Sequence, residues 1–230
     1  MPTYLQLCQT LHEEVGANGA ITSVTGNTGT LLRICNWIAK ANRKIQARKI
    51  DWNFLWSSWD LTLVENIHEY SPPTLLGSFD ESSFWLEAGT TNAKKLKYKS
   101  YLEWRDGYRN ASLSSADEVD IVTIKPNNKV EVLPIPNSTA AGKVITADYW
   151  KAPILLTDNS QVSVIPEQYH SVIVAQAKMY FAEYDGDAGL YSSAYVEHEG
   201  LYRQLKAHSL PGKKDELKSE ASINDPIIVE

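Results

Sequence analysis

Near the N-terminus, Tyr4, Leu7, Cys8, Leu11 and Val15 recur at three- and four-residue spacing. That period predicts an amphipathic helix, with Thr3 as its N-cap and Gly16 as its C-terminal stop. Residues 17–29 are rich in Gly, Thr and Asn and show no period, which predicts an exposed loop. Thr30 then reads as the cap of a longer helix with Leu31, Ile34, Ile38, Ala41 and Ile45 on one stripe. Arg33, Lys40, Arg43, Lys44 and Arg48 fill its remaining faces. The helix leads into residues 51–59, where Trp52, Phe54, Trp56 and Trp59 are dense enough to anchor it in a core.

From about Trp59 to Trp150 the pattern changes to short β-prone runs broken by Pro, Gly, Asn and Ser. Residues 61–64 (Leu-Thr-Leu-Val) read as one strand. Residues 120–125 and 129–133 read as a hairpin around Pro126-Asn127-Asn128, since Asn tolerates the positive φ of a tight turn. Residues 143–150 alternate as a further strand. Residues 99–109 read instead as a short amphipathic helix with Tyr101, Trp104 and Tyr108 on one side.

Helical period returns after Ile165, with Pro166 at the first helical position and Glu167 in the first turn. Tyr169, Val172, Ile173, Ala177, Tyr180, Phe181 and Tyr184 make a broad apolar face, ended by residues 185–189. A last helix follows, with Leu190, Ala194, Leu201 and Leu205 on the core side and Tyr191, Tyr195 and Tyr202 beside them. It stops at Leu210-Pro211-Gly212. The expected fold is α+β: a helical bundle formed by the N- and C-terminal helices, an inserted β-rich, sandwich-like domain and an extended C-terminal tail. The expected divisions are residues 1–58, 59–152, 153–211 and a flexible arm over 212–230. Within that arm Pro226, Ile227, Ile228 and Val229 form a β-branched run of the kind that adds to an exposed sheet edge, which makes them the candidate partner-binding residues.

Charge narrows the function. Of 230 residues, 28 are acidic and 22 basic, so the net charge of -6 disfavours tight binding to nucleic acid. No apolar run is long enough to span a membrane, and no signal-like N-terminus is present, so a soluble chain made in the cytoplasm is expected. Cys8 and Cys35 fall at helical, half-apolar positions and read as small hydrophobes. The sequons at Asn110 and Asn137 read as chance.

Catalytic patterns are missing. The Gly-rich loop lacks the Gly-Lys-Ser/Thr of a phosphate-binding loop, and His12, His68, His170, His198 and His208 lack metal-ligand spacing. Glu167 and His170 could form an acid/base pair, but a structural His bonded to backbone at the helix start is the favoured reading. Glu183, Asp185 and Asp187 resemble a calcium loop without its third acidic position and closing Glu, so a tight helix–helix turn is expected. The sequence therefore implies no catalytic residue, no cofactor and no metal.

Several segments, in order, are similar to the head-to-tail adaptor proteins of tailed phages. They are residues 4–16, the Gly/Thr loop, Ile34-Cys35-Asn36-Trp37-Ile38, Asp51-Trp52-Asn53-Phe54-Leu55, residues 101–109, Leu133-Pro134-Ile135-Pro136 and Ile165-Pro166-Glu167-Gln168-Tyr169-His170. Residues 75–95 and the tail match least. The resemblance implies a structural virion protein of the neck, assembled in the host cytoplasm. It implies a homo-oligomeric ring, usually a dodecamer, docked on the portal protein and joined to a downstream tail or nozzle protein. DNA would pass through the channel without specific binding, and no membrane is involved. A tail-associated carbohydrate-binding module is the alternative, given seven Trp and twelve Tyr; a hydrolase is a more remote one.

Overall fold

A computed structural model describes residues 1–108 and 114–210. They fall into two compact units, one built from Met1–Leu55 with the chain from Pro153 on, the other from Trp56–Ala152.

The first unit is helical. Helix α1 (Tyr4–Glu14) starts with a full capping box: Gln6 N–H donates to Thr3 Oγ1 at 3.3 Å and Thr3 N–H to Gln6 Oε1 at 2.8 Å. Helix α2 spans Gly29–Ala47, with Ile34, Cys35, Ile38, Ala41 and Ile45 buried. It starts before Thr30; Gly29 takes φ +58°, where a left-handed backbone suits glycine. Thr30 lies inside the helix, a correction to the expected cap.

The loop before α2 is not simply exposed. Ile21 and Val24 are buried, Gln9 Nε2 donates to the Ile21 carbonyl at 2.9 Å, and Val24 N–H donates to Asn159 Oδ1 at 2.7 Å. These bonds answer backbone polar groups that the missing helix or strand would otherwise have satisfied.

Proline 166 does not open an α-helix directly. It flanks a single 3-10 turn, Glu167–Tyr169, and helix α4 (Ser171–Asp185) begins after it. From Val172 to Ala177 every residue of α4 is buried, so the helix is enclosed rather than one-faced, while Tyr184 at its end is 55% exposed. Gly186 closes α4 at φ +77°, and Asp187 caps α5 (Ala188–Ser209) by accepting from Leu190 N–H at 2.9 Å. In α5 the core positions are Ala194, His198, Tyr202 and Leu205; Leu190 and Leu201 are half-buried, and Tyr191 and Tyr195 are exposed. Helix α4 packs on α1, α2 and α5.

The second unit is β-rich. Strands β1 (Trp56–Thr62), β3 (Leu76–Phe79), β4 (Trp85–Leu86), β5 (Lys94–Lys95) and β11 (Val144–Lys151) form one sheet, with β11 at its centre. Strands β2 (Glu69–Tyr70), β6 (Lys97–Tyr98), β8 (Ile121–Ile124) and β9 (Val130–Leu133) form another. The short strands β7 (Ser115–Ala116) and β10 (Ile135–Pro136) pair with each other. The hairpin β8–β9 turns through Asn128 at φ +64°. Helix α3 (Tyr101–Gly107) has a capping box between Ser100 and Glu103 and buries Trp104. One apolar core joins the two larger sheets, with Phe79, Phe84, Leu86, Ile145, Val122 and Val132 among its members.

The first strand is longer and earlier than residues 61–64 suggest, because it pairs with β11 along its whole length. The aromatic run before it is split accordingly. Trp52 is fully buried and stacks on Phe54 at 5.1 Å in the helical unit, whereas Trp56 is 52% exposed on β1. Burial of the whole aromatic run is thus not observed.

Strand β3 approaches the β11 bulge at Gly77. A Cβ there would meet the Trp150 carbonyl oxygen at 2.9 Å and the Ala152 nitrogen at 3.0 Å, both backbone atoms that cannot rotate aside. Gly77→Ala should therefore destabilise the β-rich unit by about 1–3 kcal/mol, as overpacking does. A urea titration followed by tryptophan fluorescence checks this; an unchanged midpoint contradicts it.

Candidate functional site

The polar groups of the helical unit divide into those that hold it together and those left on its surface. Asn42 and Gln46, both fully buried on α2, belong to the first kind. Asn42 Nδ2 donates to the Ile154 carbonyl at 3.0 Å, and Ile154 N–H donates to Gln46 Oε1 at 2.9 Å. Ser163 Oγ donates to Asn42 Oδ1 at 2.6 Å and accepts from Ile165 N–H at 3.1 Å. His170 continues the series, with its Nε2 2.8 Å from the Ile165 carbonyl oxygen. The helix-start role expected for His170 is the one observed, and Glu167 instead pairs with the N-terminal ammonium at 2.8 Å.

A second cluster surrounds Arg48. Its guanidinium lies 4.5 Å over the Tyr202 ring, donates to Gln176 Oε1 at 3.2 Å and faces Glu199 at 3.9 Å. His198 is fully buried beside it, stacked on Tyr202, with Nδ1 3.1 Å from Glu199 Oε1. His198 follows Ala194 by four residues on the same buried face of α5, the one sequence signal for its place in the core. Burial pushes the pKa of both His170 and His198 below the usual histidine range; for His198, the Arg48 charge lowers it further.

On the surface, α2 presents Arg33, Lys40, Arg43 and Lys44, all exposed. Arg33 lies 4.3 Å from the centroid of Tyr184 and Lys40 4.4 Å from that of Tyr180, which are cation–π contacts. Lys40, Arg43 and Lys44 line one side of a cleft of about 650 Å³ whose other wall is Leu155–Thr157 and whose floor includes Val24 and Ala39. A shallower hollow of about 340 Å³ lies beside it between Trp37 and Tyr184.

The remaining sequence candidates are structural where they are described. Asp185 and Asp187 form the α4–α5 turn, and among the described residues no group of three or more His, Cys, Asp or Glu could hold a metal ion. Asn137 accepts from Thr139 and Ala140 N–H groups in a turn. Cys8 and Cys35 are free and buried; the hydrogen bond to Cys35 and burial push the Cys8 thiol up. Asn110, Pro226, Ile227, Ile228 and Val229 lie outside the described residues. No described helix is long and apolar enough to cross a membrane.

The chain belongs to the SU10 adaptor protein family, whose model matches residues 2–220, and it is a structural adaptor of bacteriophage. No curated protein matches it.

The depressed histidines make the helical unit sensitive to pH. Below the unfolded value of about 6.5 the unfolded chain binds protons that the folded His170 and His198 refuse, so stability falls as pH drops. Stability should be fullest above about pH 7 and decline as pH falls below about 6.5. Urea midpoints at pH 7.5 and 5.5 measure the decline; it should be shallower in His198→Gln. An equal slope in the variant would exclude His198 as a contributor.

Proposed function

We propose that the chain is a ring-forming head-to-tail adaptor of the phage neck, docked on the portal protein and joined on its other side to a tail or nozzle protein. The observation that carries this reading is the adaptor family match over residues 2–220. The subunits form a closed homo-oligomer, a dodecamer by analogy with such connectors, around a channel through which DNA passes. A net charge of -6 suits passage, since phosphates are not held by a surplus of cations. The subunit has no catalytic role: Glu167 and His170, the one candidate acid/base pair, are each engaged elsewhere. It is assembled in the host cytoplasm before it enters the virion.

The arm over residues 212–230 completes the docking, with Pro226, Ile227, Ile228 and Val229 adding a short strand to a sheet edge of a neighbouring ring protein. Residues 213–220 carry little apolar surface to offset an ordering cost of roughly 1–2 kcal/mol per residue, so the arm gains its order on assembly.

Electron microscopy of the chain mixed with its portal protein should show a ring of this subunit seated on the portal. Portal particles without added density would overturn the reading. A chain ending at Ser222 should bind the portal more weakly than the full chain in the same mixture; equal affinity and equally infectious particles would show that the arm is not a docking element.

A further inference from the structure

Strand β1 leaves one side of its backbone without a partner. It pairs with β11 alone, in unbroken register from Trp56 opposite Trp150 to Thr62 opposite Val144. In an antiparallel ladder alternate residues turn their N–H and C=O toward the neighbouring strand and the rest turn them away. Leu63 N–H donates to the Lys143 carbonyl at 2.9 Å, which puts the odd-numbered residues of β1 on the β11 side. Asp148, opposite Ser58, agrees. Its N–H donates to Ser83 Oγ at 2.8 Å and its carbonyl accepts from Asp80 N–H at 2.9 Å, both away from β1. Trp56, Ser58, Asp60 and Thr62 therefore aim their N–H and C=O groups at an open edge. Among the described residues none of these groups has a hydrogen-bond partner.

Such edges template pairing with further chain, and sheets blunt them with short strands, lysine, proline or bulges. Other margins of the β-rich unit follow that rule: β2, β5 and β6 are two residues each, and β5 is Lys94-Lys95. Strand β1 does not follow it. It has seven residues, with no Lys, no Pro and no bulge against β11. Its one charge, Asp60, is drawn to its own sheet, accepting from Thr146 Oγ1 at 2.7 Å. Trp56, at the start of the edge, is 52% exposed.

We propose that residues 226–229 of one copy add as a strand to the open β1 edge of a second copy. This rests on the ring and arm reading above and names which neighbouring ring protein takes the arm, and where. Ile227, Ile228 and Val229 are β-branched, the type that suits a pleated, half-covered position, and Pro226 stands at the start of the run, where no ladder donor is needed. Residues 211–225 span up to about 50 Å when extended, enough to carry the run to a neighbour. Arm and edge are different surfaces, so each added copy leaves one of each free until a ring closes. An arm folded back on its own β1 would use up both surfaces. Two β1 edges paired with each other would stop at a two-fold dimer.

Two proline variants and two cysteine variants test this. Ser58→Pro removes an outward N–H and leaves the β11 bonds in place, and an edge is where a strand tolerates proline. It should keep the wild-type circular dichroism spectrum and self-associate about tenfold more weakly in sedimentation, as should Ile228→Pro. Ser58→Cys and Ile228→Cys chains, mixed and treated with a short bismaleimide, should cross-link to each other, and neither should cross-link alone. Cys8 and Cys35 are buried and should stay unreacted.

A folded Ser58→Pro that associates like wild type overturns the proposal. So does a mixture of the cysteine chains that gives no cross-linked dimer, a result that stands even where the proline variants fail to fold. Dimers from Ser58→Cys alone would assign the edge to β1–β1 pairing, and a doubly substituted chain that cross-links only within itself would place the arm on its own copy; either overturns it. Rings on portal without the mixed cross-link remove this contact and leave the ring reading intact. The mixed cross-link without rings on portal removes the ring reading and leaves the strand addition standing.

Discussion

The helical unit must close from two stretches of chain that residues 56–152 keep apart in sequence, and buried amides on α2 make that closure specific. Asn42 and Gln46 sit among the apolar positions of α2 and hold both the N–H and the carbonyl of Ile154, just where the chain re-enters the unit. Asn42 then fixes Ser163, Ser163 fixes Ile165 and His170 binds the Ile165 carbonyl, so the polar series runs to the threshold of α4. An apolar stripe alone would allow the returning segment to slide along α2. Fully buried amides allow one register, because each alternative leaves a donor or acceptor without a partner. The N-terminus is tied to the same segment, through Tyr4 N–H on the Gln161 carbonyl at 2.7 Å and a bridge between Thr3 and Val162.

A long insertion is tolerable in such a design because the entropic cost of closing a loop grows only with the logarithm of its length, about 0.6 kcal/mol per doubling. The inserted unit also carries its own core, with β11 pairing to β1, β3 and β4 and an apolar cluster shared by both main sheets. Glu131, a deeply buried carboxylate, is 2.8 Å from Lys125 Nζ, and the same ammonium reaches Glu69 at 2.6 Å. With Lys129 also at 2.6 Å, the two lysines hold the Glu69 carboxyl down to about 2. Cross-strand charge thus ties β9 and β2 to the end of β8, and Lys125 lies over the Trp104 ring of α3.

An adaptor has to be rigid where it is joined and open where it joins others, and the distribution of polar groups in the helical unit follows that division. Asn42, Gln46, Arg48, His170 and His198 face inward and are engaged with the fold. The cations of α2, with Arg33 and Lys40 lying over tyrosine rings, and the acids of the α4–α5 turn are exposed. Overall acidity and a local cationic stripe are compatible, since net charge governs the long-range behaviour toward a polyanion while the stripe acts within a Debye length of about 8–10 Å.

The α+β class, the helices at both ends, the β8–β9 hairpin and the helix–helix turn at residues 185–189 could all be read from the chain, because each rests on a local period or on a residue suited to a turn. The family resemblance was legible for the same reason, since its segments recur in order. What the linear pattern could not supply was which polar residues lie inside. Asn42 and Gln46 fall on the buried side of α2, and His198 follows Ala194 by one turn, yet in sequence they look like surface positions. Their burial depends on partners more than a hundred residues away, Ile154 and Ser163 for the amides and Arg48 for the histidine. The aromatic residues divide for the same reason. Trp52 and Trp56 are alike in type and four residues apart, but Trp52 meets Tyr202 at 6.1 Å in the helical unit while Trp56 opens a strand and stays half in solvent. Local chemistry decides which elements form; only the tertiary arrangement decides what each face meets, because burial is a property of pairs of elements and not of one.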